Sequence, residues 1–236
     1  PEFHKQLAAA GLIFGNWPVE QGGRGYDGYI AHAASRVFEE VNWSTFMAGT
    51  SGMVAGVIQL FGSDEAKRDI LPRIRDGEII CSLGFSEPSC GSDVFAAKTS
   101  AVKDGDGWLI NGQKMWISNA GFADLLIIFA KIDDDKKLSA FIAERTWDGI
   151  SMNDEEKKLG IKGSSTRQVF FNDCKVPVEN MLSERENGFK IAVNILNIGR
   201  IKLGASAIGA SKGVLGQAAQ YSNERKQFGT SIGSFG

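Results

Sequence analysis

Histidine is almost absent from this chain, which has only His4 and His32. Neither has a histidine, cysteine or acidic neighbour at the helical spacing of a zinc site, so both read as surface or core imidazoles and no metal site is expected. The three cysteines, Cys81, Cys90 and Cys174, are odd in number and widely spaced. They fit reduced thiols rather than a disulfide framework. An excess of either charge is also missing: 26 basic against 28 acidic residues leave a formal net charge of −2. Such a surface has no field for nucleic acid or anionic lipid. No long apolar run is unbroken, since Ile191 to Ala219 is interrupted by Asn194, Asn197, Arg200, Lys202 and Lys212. That excludes a membrane span there. The opening Pro1-Glu2-Phe3 shows no charged, apolar and small-residue series, so no secretory signal is expected.

What is present falls into three zones, on a chain of 236 residues that is long enough to bury a real core. From Pro1 to Gly77 the apolar spacing is helical, with Ala31 to Phe61 the longest such stretch. Ser63, followed by Asp64 and Glu65, reads as an N-cap with acids in the first turn. From Glu78 to Ser183 the pattern becomes that of strands. Asn111-Gly112, between Trp108-Leu109-Ile110 and Met115-Trp116-Ile117, predicts a two-residue hairpin turn. "LLIIFA" and "LSAFIAE" predict strands on either side of the solvated "DDDKK". The middle zone is therefore expected to be an antiparallel sheet or barrel.

After the turn-rich "SERENG", the residues from Phe189 to Phe228 return to helical spacing, with Ile191, Ile195, Ile198, Ile201, Ala205 and Ile208 on or near one face. Gly199, Gly204, Gly209, Gly213 and Gly216 each cost about 1 kcal/mol relative to alanine inside a helix. Close approach of another helix or of a ligand is the expected reason for them. A helix of this kind needs partners, and none follow before Gly236, so the chain is expected to be part of a longer polypeptide.

Two loops concentrate hydrogen-bonding groups. "GFSEPSCGSD" and "MWISN" each end an apolar run, offering Ser86, Ser89 and Ser92 in the first and Ser118 in the second. Trp116 adds a flat aromatic wall beside the second group, as pockets for planar ligands commonly do. On the residues alone two readings stand: a grip on a polar ring, or a core tryptophan with serines capping turns.

"FSEPSCGSD", "INGQKMWISNAGFAD", "KLGIKGSSTRQVFFNDCKVP" and "ERKQFG", with the opening "WPVEQGGRG", resemble in order and separation the motifs of acyl-CoA dehydrogenases. The resemblance spans nearly the whole chain. It implies an α+β multidomain fold: an N-terminal helical domain (1–77), a middle antiparallel β-barrel or sandwich domain (78–183) and the start of a C-terminal four-helix bundle (184–236). It also implies FAD as the cofactor, with Leu83, Phe85, Ser86, Gly91 and Ser92 on one flavin-lining segment and Trp116, Ile117 and Ser118 on a second. Phe85 and Cys90 stand where the family usually has an aliphatic and a small residue, respectively, so ring seating there is expected to differ. Ser92, Asn197, Gly199 and Arg200 are implied to face the acyl-CoA. An unpaired arginine is rarely buried in so apolar a stretch, which favours a ligand for Arg200. Arg225, Gln227 and Phe228, in a segment with Lys226, are implied to reach the FAD of a neighbouring subunit in a homodimer or homotetramer.

The implied reaction removes a proton α to a thioester carbonyl and a hydride from the β-carbon, with an electron-transfer flavoprotein as the later acceptor. The glutamate base of most members lies further along the C-terminal domain, and the alternative position on this helix is occupied by Gly199. The base is thus expected beyond Gly236, and the isolated chain is expected to be inactive. "NILNIGR" leans towards the longer-chain branch. Bacterial cytoplasm, or the mitochondrial matrix in a eukaryote, is the implied compartment. The competing readings are an acyl-CoA oxidase or other flavoprotein of the same fold, and a non-enzymatic acyl-CoA or flavin-binding module.

Overall fold

The helical spacing at the start of the chain becomes α1 (Glu2–Ala9), α2 (Phe46–Phe61) and α3 (Asp64–Arg75). These elements belong to a computed structural model that describes residues 2–27, 29, 30, 33 and 46–236. Most of the expected helix from Ala31 to Thr45, and His32 within it, lies outside the described residues. His4 is a core imidazole on α1. Ser63 caps α3 as its sequence predicts: its hydroxyl accepts the Ala66 N–H at 3.1 Å. Asp64 and Glu65 in the first turn and Arg73 and Arg75 in the last complement the helix dipole. Val54, Ala55, Val57 and Ile58 of α2, with Leu71 and Ile74 of α3, are buried.

The middle zone forms an eight-stranded sheet. Its strands are β1 (Cys81–Gly84), β2 (Ser100–Asp104), β3 (Gly107–Ser118), β4 (Leu125–Ile132), β5 (Ser139–Glu144), β6 (Ile150–Met152), β7 (Thr166–Pro177) and β8 (Met181–Leu182). The order is β6-β7-β3-β2-β4-β5-β8, with β1 on β4. Most pairs are antiparallel, while β1 and β2 each run parallel to β4. β4 is the "LLIIFA" run, and a strand buried on both faces has to be apolar at every position rather than at alternate ones. Around it Ile110, Ile117, Phe141, Val169 and Val176 close one core.

The Asn111-Gly112 pair does not make the expected turn. β3 runs through it unbroken from Gly107 to Ser118, and the β2–β3 hairpin turns instead at Gly105-Asp106, with Gly105 at φ +58°. Asn111-Gly112 is a break in the β3–β7 register. The Asn111 side chain exchanges two hydrogen bonds with Asp173, which draws it towards β7. Gly112, at φ +146°, passes so close to Thr99 that a Cβ would sit 2.7 Å from its Cα. Local chemistry offered a turn, but β3 continues through the dipeptide, and the extra residue at this break falls on β7, where Asn172 and Asp173 (φ +49°) lie opposite Asn111.

The described chain divides into two compact units, Pro1–Ala192 and Val193–Gly236. The second holds most of α4 (Gly188–Glu224), followed by a small hairpin of β9 (Lys226–Gln227) and β10 (Thr230–Ser231). The side chains of Ile198, Ile201 and Ala205 lie outside the described residues. Within this unit a Cβ at Gly204, Gly209, Gly213 or Gly216 would meet no atom within 4 Å. Among the described residues no helix is long and apolar enough to cross a membrane.

Two glycine substitutions separate the turn from the close approach to Thr99. Gly105→Ala, at an open turn position, should cost about 1 kcal/mol. Gly112→Ala, driven into Thr99, should cost about 1–3 kcal/mol. Denaturant midpoints measure both, and Gly112→Ala is expected to be the worse of the two.

Candidate functional site

Strict alternation along β3 turns Trp108, Ile110 and Lys114 inward, and Lys114 is fully buried. A buried ammonium requires a partner, and Glu87 supplies it at 2.7 Å, with side-chain exposures of 0 % for the lysine and 3 % for the acid. Lys114 Nζ also donates to the Phe129 carbonyl of β4 at 2.6 Å and reaches the Phe85 carbonyl at 3.4 Å. The other lone pairs of Glu87 accept the N–H groups of Lys98 (2.6 Å) and Thr99 (3.1 Å). Glu87 and Cys90 exchange two backbone hydrogen bonds, tightening the bend at Pro88-Ser89. One carboxylate thereby closes the loop from residue 87 to residue 99.

Burial pushes the Glu87 carboxyl up, but the adjacent Lys114 ammonium and the donated N–H groups outweigh it and hold the group below the usual carboxylate range. Burial lowers Lys114 by more than Glu87 raises it. Of the cysteines, burial pushes Cys81 to about 12 and Cys174 to about 11, so neither is a reactive thiolate near neutral pH. All three cysteines are free.

The two segments singled out in the sequence adjoin one another. The Met115 N–H donates to the Ser86 carbonyl at 2.8 Å, the Ser82 hydroxyl to the Ser118 carbonyl at 2.8 Å, and the Asn119 side chain to the Cys81 carbonyl at 3.2 Å. Past Lys114 the β3–β7 register slips again, and Trp116 takes φ +62°. This bulge breaks the alternation, turning Ile117 into the core and leaving the Trp116 ring 56 % exposed. Leu83, Ser86 and Ser118 are half-buried, and Gly91 and Ser92 are exposed. No described residue hydrogen-bonds the hydroxyls of Ser86, Ser92 or Ser118. Phe85 stacks on Phe129, ring centres 4.2 Å apart, so the aromatic at this position packs on the sheet.

A second network braces the end of β3. Asn119, at φ +65°, donates its N–H to the Ser165 carbonyl. The Ser165 hydroxyl accepts from the Gly121 N–H and donates to Glu155, which also accepts from Thr166 and Arg167. Lys158 ties the neighbouring loop through Ile161, Ser164 and Thr166.

In the second unit, Arg200 is exposed and hydrogen-bonds Asn197 at 3.2 Å, one helical turn away. Gly199 sits between the two on α4. Gln227 lies on β9, and Phe228 (φ +52°) and Gly229 (φ +81°) form its two-residue turn, both residues at the positive φ such loops demand. Phe228 is 97 % exposed at this tip, and the Arg225 carbonyl accepts the Ile232 N–H at the base.

Lys114 and Glu87 are the pair that motif reading passed over. Counting by two from Trp108 and Ile110 puts Lys114 inward, and an inward lysine between apolar neighbours calls for an acid. That signal was legible. Asn119 had no such signal, because its burial follows from the bulge before it.

Three family models match the chain in order: "Acyl-CoA dehydrogenase, N-terminal domain" over residues 1–78, "middle domain" over 82–174 and "C-terminal domain" over 186–236. The chain belongs to the acyl-CoA dehydrogenase family. It is 42 % identical over 234 residues to a probable acyl-CoA dehydrogenase of Bacillus subtilis (strain 168), covering 98 % of this chain and 39 % of that protein. It is 38 % identical over 236 residues to a short-chain specific acyl-CoA dehydrogenase of Clostridium acetobutylicum, covering 98 % and 62 %. The crystal structure of an acyl-CoA dehydrogenase complexed with FAD from Bacillus anthracis superposes with a TM-score of 0.85 at 39 % identity, over 99 % of this chain and 41 % of that one. The chain thus spans between about two fifths and three fifths of the length of these relatives.

The buried pair gives two measurable consequences. Lys114→Met alone leaves Glu87 buried without its cation and should cost about 3–5 kcal/mol in denaturant unfolding. The carboxyl of Glu87 has a lower pKa folded than unfolded, so its stabilisation is complete above the unfolded value of about 4.3 and is lost as pH falls through the folded one. Acid unfolding curves of Glu87→Gln should therefore be flatter below about pH 4 than those of the unsubstituted protein.

Proposed function

We propose that this chain is the flavin-holding part of an FAD-dependent acyl-CoA dehydrogenase that carries out α,β-dehydrogenation of a fatty acyl-CoA thioester. The observation that carries the proposal is the adjoining pair of segments at Ser86 and Trp116, which set an exposed indole face beside hydroxyls that no described residue occupies. A planar, polar, electron-accepting ring matches that donor set. The family membership and the FAD in the Bacillus anthracis relative support the same choice.

In this reading Leu83, Phe85, Ser86, Gly91 and Ser92 line one side of the ring, and Trp116, Ser118 and the backbone of Ile117, whose side chain is in the core, line the other. Bound FAD supplies the acceptor for the hydride that leaves the substrate β-carbon. The Ser86 and Ser118 hydroxyls donate to ring nitrogens and oxygens, favouring the negative charge that reduction creates. Ser92, Asn197, Gly199 and Arg200 face the acyl-CoA. Arg225, Gln227 and Phe228, on an exposed hairpin, reach the FAD of a second subunit in a homo-oligomer, and an electron-transfer flavoprotein takes the electrons onward. The proton leaving the α-carbon goes to a glutamate outside residues 1–236. Gly199 has no side chain to receive it, so the chain alone turns over no substrate.

The visible spectrum of the longer protein, loaded with FAD and kept without oxygen, tests this. A saturated acyl-CoA should bleach the oxidised flavin band, and residues 1–236 alone should show no bleaching. Bound flavin that no acyl-CoA of any chain length bleaches would overturn the dehydrogenase reading. Rapid re-oxidation by air would replace it with an oxidase.

A further inference from the structure

The Lys114–Glu87 pair is more elaborate than stability requires. Replacing a buried ion pair with apolar residues of similar volume is often neutral or stabilising, so a pair of this kind is a weak source of stability. Its geometry suggests another use. Lys114 precedes Met115, whose N–H holds the Ser86 carbonyl, and Met115 precedes the bulged Trp116. Glu87 follows Ser86 and, by accepting the Lys98 and Thr99 N–H groups, closes the loop that contains Gly91 and Ser92. The lysine is itself fixed to β4 through the Phe129 carbonyl. Each partner is thus adjacent in sequence to one of the two exposed segments, and each is anchored to a rigid strand or loop closure.

We propose that Lys114 and Glu87 are positioning residues that set the spacing between the Ser86 and Trp116 segments, and through it the seating of the flavin ring. This rests on the flavin-holding reading above. Neither side chain touches the ring: both are sealed in the core. They act through the backbone of Ser86 and Met115 and through the closed loop. An apolar pair in their place fills the volume but leaves four anchors, at Phe129, Phe85, Lys98 and Thr99, without partners. The segments then drift relative to one another while the sheet survives.

The test uses the longer protein, stripped of FAD and titrated with it again, in three forms: unsubstituted, Lys114→Met with Glu87→Leu, and Glu87→Gln. Three quantities are read: the FAD dissociation constant by flavin fluorescence, the visible circular dichroism of the bound flavin, and the melting temperature of the apoprotein. The double variant, with those buried groups unpaired, should melt lower than the unsubstituted apoprotein but still in one cooperative transition. It should bind FAD about tenfold more weakly, with altered visible dichroism. Glu87→Gln should change the same two flavin signals in the same direction but less, and it decides the matter if the double variant does not fold. A folded variant with unchanged affinity and dichroism would overturn the positioning role and leave the flavin reading intact. Failure of the unsubstituted protein to bind FAD would overturn the reading itself, and the proposal with it.

Discussion

One buried contact, Lys114 Nζ to Glu87 at 2.7 Å, ties together the strands and loops of the middle zone. Desolvating an ammonium and a carboxylate is tolerable only when mutual attraction is joined by hydrogen bonds to the remaining protons and lone pairs. Here the lysine is shared among Glu87, Phe129 and Phe85, and the acid among Lys114, Lys98 and Thr99. Those partners come from β3, from β4, from the end of β1 and from the loop before β2. A single pair of charges, 27 residues apart in sequence, therefore fixes four pieces of chain.

The exposed features depend on departures from regular pairing just beyond that contact. A strand that kept its alternation past Lys114 would bury Trp116 and expose Ile117. The register slip reverses them, and the positive φ at Trp116 is a strain that the surrounding bonds at Met115, Ser118 and Asn119 hold in place. The hairpin of the second unit uses the same device at Phe228, where positive φ throws an aromatic side chain outward. In both places regular secondary structure supplies rigidity and an irregular residue supplies the presented surface.

Much of the frame was legible because it follows from local rules. "LLIIFA" had to be a doubly covered strand, Ser63 had to cap a helix, and the change from helical to strand spacing near Glu78 was visible without any template. Asn111-Gly112 misled because a positive-φ glycine serves a turn and a close approach to neighbouring chain equally well, and only Thr99 and Asp173, distant in sequence, choose between them. Of the site itself, the two segments and their hydroxyls were readable, while the ion pair that joins them needed the inward register of Lys114 to be counted out.

The central claim is that the segments at Ser86 and Trp116 together hold a flavin ring. Hydrogen–deuterium exchange of the longer protein, with and without FAD, tests it most directly. The account predicts slowed exchange on FAD addition at residues 83–92 and 115–119, with β4 already protected in both states. Binding of FAD that leaves those two segments exchanging as before, and protects some other surface instead, would contradict it.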